Sequence, residues 1–189
     1  MRTFIAIPLP AEVRAQLKDL QAKLRSFGAE VGWTAASSIH LTLKFLGEID
    51  PAVLPLLAQR LRAATASERP FSLSLHGLGG FPNLRAPRVI WCGLEGDLPM
   101  LESLQKDVES ACVEAGLAPD ERPFQPHLTL GRVKGKRNLQ PLLDYIRIGG
   151  VFGQPFVAGE IHIYQSVLRP QGALYTVLET IELRSEERR

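Results

Sequence analysis

The tetrapeptide His-Leu-Thr-Leu occurs twice in the chain, at residues 40–43 and again at residues 127–130. In a β-strand, residues i and i+2 point to the same face, so each copy would present one imidazole beside one hydroxyl. An imidazole, with an unperturbed pKa of about 6.5, can give or take a proton at neutral pH. A threonine hydroxyl can donate a hydrogen bond to a non-bridging phosphate oxygen. Two such strands related by a pseudo-twofold axis would therefore suit acid–base catalysis at phosphorus.

A lone histidine on a strand more often satisfies buried hydrogen bonds than performs catalysis. Here two of the four histidines precede the same three residues, which favours a catalytic role for His40 and His127. The same-face rule adds Thr42 and Thr129 as phosphate-binding residues and puts Lys44 on the polar face of the first copy, as a possible substrate contact. No carboxylate or thiolate is spaced to complete a zinc site with these histidines. We therefore expect neither a metal nor another cofactor.

Three further side chains near the two copies could contact a substrate. Arg132 begins a basic run and could bind phosphate, although strict alternation puts it on the face opposite His127 unless the strand bulges. Phe81, in a glycine-rich segment that we expect to be a loop, and Tyr164 could stack on a nucleobase. Phe45 faces away from the histidines by alternation, so we expect it in the core.

The composition limits the class of protein. A chain of 189 residues with a net charge of +2 fits one domain and excludes a polybasic coat protein, so an anionic partner must meet a local patch. Two cysteines, Cys92 and Cys112, cannot build a disulfide framework. No apolar run approaches the roughly 20 residues that cross a bilayer. We expect a cytoplasmic monomer that does not bind membranes.

The periodicity of apolar residues predicts how these motifs are positioned. The predicted strands span 3–8, 38–46, 71–76, 88–94, 126–133, 155–165 and 173–183, and the predicted helices span 10–27, 50–65, 97–115 and 138–147. Corresponding helices and strands lie 87 residues apart, which indicates an internal duplication. We expect an α+β fold in one domain over residues 1–189, with two pseudo-symmetric lobes, each an antiparallel sheet backed by helices, and the active site in the central cleft. The charged tail from Ser185 is expected to be frayed.

Two segments that contain the repeated tetrapeptide resemble a known family. Residues 38–48, Ser-Ile-His-Leu-Thr-Leu-Lys-Phe-Leu-Gly-Glu, and residues 122–132, Arg-Pro-Phe-Gln-Pro-His-Leu-Thr-Leu-Gly-Arg, resemble the two signatures of the 2H phosphoesterase superfamily. Within it they are most similar to the RNA 2′,3′-cyclic phosphodiesterases, also called 2′-5′ RNA ligases. The first seven residues and the stretches 87–93 and 163–168, with Tyr175 beyond, extend the resemblance over nearly the whole chain.

The resemblance implies a bilobal α+β fold and hydrolysis of RNA 2′,3′-cyclic phosphate ends to 2′-phosphomonoesters. It implies that His40 donates a proton to the leaving 3′ oxygen, that His127 accepts one from water, and that Thr42 and Thr129 hold the phosphate. The residues by themselves do not assign donor and acceptor, because the two copies are nearly equivalent.

Several other functions remain compatible with the sequence. The same groups could act on 2′-5′ oligonucleotides or on a small cyclic nucleotide. They could also join RNA ends in the reverse direction; without a nucleotide-binding loop of the G-x-x-x-x-G-K-[ST] kind, that joining would be independent of ATP. A non-catalytic RNA-binding module is the alternative from a different class.

Overall fold

In the computed structural model, which describes residues 1–151 and 153–184, the chain forms two antiparallel sheets and four α-helices. The elements are β1 (Arg2–Ile7), α1 (Ala11–Arg25), β2 (Val31–Trp33), β3 (Leu41–Glu48), α2 (Leu54–Ala64), β4 (Phe71–Phe81), β5 (Val89–Gly96), α3 (Leu98–Glu114), β6 (Leu128–Val133), α4 (Leu139–Ile148), β7 (Phe156–Ala158), β8 (Glu160–Arg169) and β9 (Gly172–Glu182). The tail from Ser185 lies outside the described residues.

The strand order is β3-β1-β8-β9 in the first sheet and β2-β6-β5-β4-β7 in the second. All the strand pairs are antiparallel. Antiparallel strands with one apolar and one polar face allow each sheet to pack on helices and leave the other face free for a site. The predicted α+β architecture of two sheets backed by helices is confirmed. No helix in the described part of the chain is long and apolar enough to span a bilayer.

The predicted duplication is visible in where the elements begin. The first residues of β1 and β5, of α1 and α3, and of β3 and β6 are each 87 residues apart. By nearly the same offset, β4 corresponds to β8. The two repeats therefore share a strand–helix–strand–helix–strand succession, to which β2, β7 and β9 are added.

The repeats exchange elements across the molecule. In the first sheet β1 pairs with its own β3 and with β8 of the second repeat, and in the second sheet β5 pairs with its own β6 and with β4 of the first. Helix α1 also crosses over, since the Gln21 side-chain amide donates to the carbonyl of Leu130 in β6 at 2.9 Å. One continuous cluster of buried apolar side chains includes members of both repeats. This exchange holds the two sheets together on either side of a cleft.

The glycine-rich segment after residue 76 is not the loop that we expected from its composition. Strand β4 continues through it to Phe81, paired with β5. At Gly79 a Cβ atom would overlap the indole ring of Trp91 on that neighbouring strand. Gly79 therefore allows a large ring to approach closely within the sheet. This close approach explains the glycine without a turn.

The predicted strand over residues 155–165 is in fact two strands. Strands β7 and β8 are separated by Gly159, and they belong to different sheets. Strand β2, only three residues long, had no signal in the periodicity. Short strands of this kind are defined by their pairing with distant segments, which alternation cannot report.

Candidate active site

The two copies of the repeated tetrapeptide open strands β3 and β6, with each histidine one residue before its strand. They meet at a cavity of about 580 Å³ between the sheets, whose lining includes His40, Thr42, His127 and Thr129. The i, i+2 spacing thus puts each imidazole and its hydroxyl on the same cleft wall. The structure brings the four residues together, and their catalytic roles remain predictions.

A β-bulge follows the histidine–threonine pair in each copy. The register of β3 against β1 passes from Thr42 directly to Lys44, so that Leu43 is an extra residue. The register of β6 against β5 makes the corresponding skip after Thr129, where Leu130 is extra. A bulge reverses the alternation of the side chains that follow it.

The bulge in β3 exchanges the predicted positions of Lys44 and Phe45. Phe45 is 68% exposed and lines the cavity, so the prediction of a core position is wrong. The Lys44 side chain is 1% exposed; its ammonium lies 2.6 Å from a Glu109 carboxylate oxygen and 3.3 Å from one of Asp120. The prediction that Lys44 shares the polar face with His40 is therefore also wrong. Burial acts to lower the pKa of Lys44, but the two carboxylates outweigh it and raise the pKa above its ordinary value.

The bulge in β6 turns Arg132 into the cleft. Its side chain lines the cavity with His127 and Thr129, which strict alternation had forbidden. The ring of Phe81, at the end of β4, meets the His127 imidazole edge to face with centroids 4.8 Å apart. Both residues therefore lie where a substrate at the histidines would reach them.

His40 sits among three aromatic rings. Its imidazole stacks on Phe4 with centroids 4.6 Å apart and on Tyr164 at 5.6 Å, and it meets the ring of Tyr175 edge-on at 5.1 Å. Burial lowers the pKa of His40 to about 4, against a smaller opposing effect of a hydrogen bond to the Ser38 backbone. His40 is therefore neutral at neutral pH.

His127 has a defined tautomer. Its Nδ1 lies 2.7 Å from the carbonyl oxygen of Gln125. Because a carbonyl can only accept, Nδ1 carries the hydrogen, and in the neutral ring Nε2 is left as a proton acceptor. His40 differs from His127 in being enclosed by three aromatic rings.

Sequence reasoning gave no place in the site to Tyr175. It lies on β9, opposite Ser166 of β8, and reaches His40 only because the β8–β9 hairpin extends the first sheet beyond β1. No local pattern reports such a contact between distant segments. In the described part of the chain, no three histidine, cysteine, aspartate or glutamate side chains cluster as metal ligands would.

The sequence matches a family model, that of the LigT-like phosphoesterases, over residues 7–91 and 98–175. The chain belongs to the LigT-like phosphoesterase family. The first segment runs from the end of β1 into β5 and the second from the start of α3 into β9, so each contains one copy of the repeated tetrapeptide. The resemblance to 2H phosphoesterases that the signatures predicted is thereby confirmed.

Relatives of this LigT-like chain extend over nearly its full length. A Methanothermobacter thermautotrophicus protein named RNA 2′,3′-cyclic phosphodiesterase is 34% identical over 184 residues, which cover 97% of this chain and 99% of that protein. A crystal structure of a Thermus thermophilus protein superposes with a TM-score of 0.82 at 34% identity, covering 99% of this chain and all of that one. The E. coli LigT structure in complex with 3′-AMP superposes with a TM-score of 0.79 at 30% identity, covering 97% and 98% of the two chains.

Proposed function

We propose that the protein hydrolyses RNA 2′,3′-cyclic phosphate ends to 2′-phosphomonoesters by acid–base catalysis with paired histidines. The observation that carries the proposal is the convergence of His40, Thr42, His127 and Thr129 on one cavity between the sheets. The name of the Methanothermobacter relative, RNA 2′,3′-cyclic phosphodiesterase, supports the same substrate. RNA ends that carry a 2′,3′-cyclic phosphate are then the substrate that the cleft binds.

In the proposed reaction, the neutral Nε2 of His127 takes a proton from a water molecule as the water oxygen attacks phosphorus. The bond from phosphorus to the 3′ oxygen breaks, and a protonated His40 gives its proton to that oxygen. The threonine hydroxyls donate to the non-bridging oxygens, where negative charge develops. The products are a 2′-phosphate and a free 3′ hydroxyl, and solvent restores the two protonation states. With a 5′ hydroxyl of a second RNA end in place of water, the same steps would break the bond from phosphorus to the 3′ oxygen and join the two ends through a 2′-5′ bond without ATP.

The donor role of His40 requires that substrate raises its pKa. Burial lowers the pKa of His40 and so keeps its imidazole neutral at neutral pH. A bound phosphodiester carries a negative charge, and an opposite charge in contact favours the protonated ring. We therefore propose that the substrate anion helps to protonate the residue that then acts as its acid. A cytoplasmic location and a monomeric state stay predictions from the sequence.

The test is to follow an oligoribonucleotide with a 2′,3′-cyclic phosphate end by phosphorus NMR in excess chelator. We expect conversion of the cyclic phosphate signal into that of a 2′-phosphomonoester, at the rate seen without chelator. His127→Gln is the inactive control. A 3′-phosphomonoester as product, or turnover that vanishes in chelator and returns with a divalent ion, would contradict the proposal.

A further inference from the structure

A second, larger groove of about 1000 Å³ adjoins the cavity that contains the histidines. It shares Thr42, His127 and Arg132 with that cavity and continues past them to Arg88 and Arg122. Ligand pockets that hold one drug-sized molecule typically measure about 300–1,000 Å³. The two spaces together are therefore larger than one nucleoside with its cyclic phosphate requires.

The lining of the groove is net positive, with four basic and two acidic side chains. Arg88 and Arg122 are exposed, and neither forms an ion pair with a carboxylate in the described part of the chain. Lys44 and Asp120 form an ion pair with each other, which leaves three arginines and Glu121. Guanidinium groups without a carboxylate partner, beside the proposed site of the cyclic phosphate, are well suited to bind a second phosphate group.

An exposed aromatic ring stands where the two spaces meet. Phe45 lines both the cavity and the groove, and 68% of it is accessible to solvent. Such exposure costs free energy for a phenyl ring unless a ligand covers it. Aromatic side chains beside a basic groove are the usual means of binding single-stranded nucleic acid, because every base can stack on them.

We propose that the groove binds the RNA chain that precedes the terminal nucleotide. Arg88 and Arg122 contact the phosphates upstream of the cyclic end, and Phe45 stacks on a base at the junction. This inference rests on the proposed function and adds to it that the substrate is a single-stranded oligonucleotide, which the protein prefers over a cyclic mononucleotide.

The experiment compares two substrates, a 2′,3′-cyclic mononucleotide and an oligoribonucleotide with the same terminal nucleotide. The test protein is the double variant Arg88→Gln/Arg122→Gln. Its matched control is Arg85→Gln, an exposed arginine from the same connection between β4 and β5 that lines neither space. Wild type should show the higher kcat/KM on the oligonucleotide.

For the double variant, we expect kcat/KM to fall roughly tenfold on the oligonucleotide and to stay within about twofold on the mononucleotide. Its salt dependence on the oligonucleotide should also weaken, because each phosphate contact on a single strand contributes about 0.7 to the slope of log K against log salt. The control should behave as wild type.

Equal losses on both substrates, or no loss on the oligonucleotide, would overturn the groove assignment while hydrolysis itself continued. A wild-type protein that cleaves neither substrate would instead overturn the proposed function. Because turnover of the mononucleotide also reports correct folding of the variants, the two failures are distinguishable.

Discussion

Phe45 and Arg132 occupy equivalent positions in the two repeats, 87 residues apart, and both reach the cleft because a bulge precedes each. The duplicated backbone thus presents a ring from one side and a guanidinium from the other. The histidines and threonines that open the two strands stayed the same while these two positions diverged. We infer that the repeated histidines and threonines act on a reacting phosphate common to all substrates, while Arg132 binds the charge of that phosphate and Phe45 contacts the nucleotide around it.

The paired histidines give the sharpest prediction. His40→Ala and His127→Ala should each lower turnover by at least about 100-fold, the lower end for loss of a general acid or base. His76→Ala, which changes an exposed histidine outside the cavity, is the matched control. An ester with nitrophenolate as leaving group, which needs no proton, should rescue His40→Ala preferentially. Rescue of His127→Ala instead would reverse the donor and acceptor assignment.

Arg132 should bind the substrate anion. Hydrogen bonds to a charged group are worth about 1.5–3 kcal/mol, so Arg132→Gln should lower kcat/KM roughly 10- to 100-fold on a cyclic mononucleotide. Arg132→Lys keeps the charge but loses the two-pronged hydrogen bonding of the guanidinium group. Its kcat/KM should therefore lie between those of wild type and Arg132→Gln. Lys134→Gln, in the same basic run but outside the cavity, should have no effect. Equal losses for Lys134→Gln and Arg132→Gln would show only a general effect of charge.

The imidazole of His40 should titrate near pH 4 in the free protein, since burial lowers its pKa to about 4. Inorganic phosphate bound in the cleft should move that titration to higher pH, because the anion favours the imidazolium. Histidine-selective NMR with and without phosphate measures both values, and His40→Gln assigns the signal. If phosphate leaves the titration of His40 unchanged, the proposal that the substrate anion helps to protonate this residue is wrong.

The same low pKa predicts how stability depends on pH. Between about pH 6.5 and pH 4 the unfolded chain protonates this imidazole and the folded chain does not. Protonation therefore favours unfolding in that window, and the free energy of unfolding falls as pH falls, by up to about 3 kcal/mol from this group. Urea unfolding at pH 7 and pH 4.5 should show a smaller loss for His40→Gln than for wild type. Equal losses in the two proteins would exclude a low pKa of His40 as the cause.

Lys44 should matter for folding more than for turnover. Lys44→Met leaves Glu109 and Asp120 without their shared cation beside helix α3. Both carboxylates are partly exposed, so we expect a loss of about 1–3 kcal/mol, below that for a fully buried pair. Urea unfolding measures the loss, and kcat on a cyclic mononucleotide should stay within about threefold. A large fall in kcat with normal stability would instead indicate that Lys44 contacts the substrate.

The sequence predicted those parts of the site that depend on local spacing. The i, i+2 relation put each histidine with its threonine, and the 87-residue offset predicted that the two pairs would meet. Strict alternation misplaced Lys44 and Phe45 and did not decide which face Arg132 lies on. A bulge is created by pairing with a neighbouring strand, and the alternation of residue types does not reveal it. The aromatic surroundings of His40 were equally hidden, since Tyr175 arrives from a hairpin more than a hundred residues further along the chain.

Strand β4 of the first repeat pairs with β5 of the second, and its counterpart β8 pairs with β1 of the first. A half-length chain with this connectivity would expose a sheet edge that only a second copy could fill. The single-copy ancestor of such a protein is therefore best pictured as a swapped homodimer, with one histidine from each subunit in a shared cleft. Gene fusion would then have made the partner permanent and allowed the two halves of the cleft to diverge.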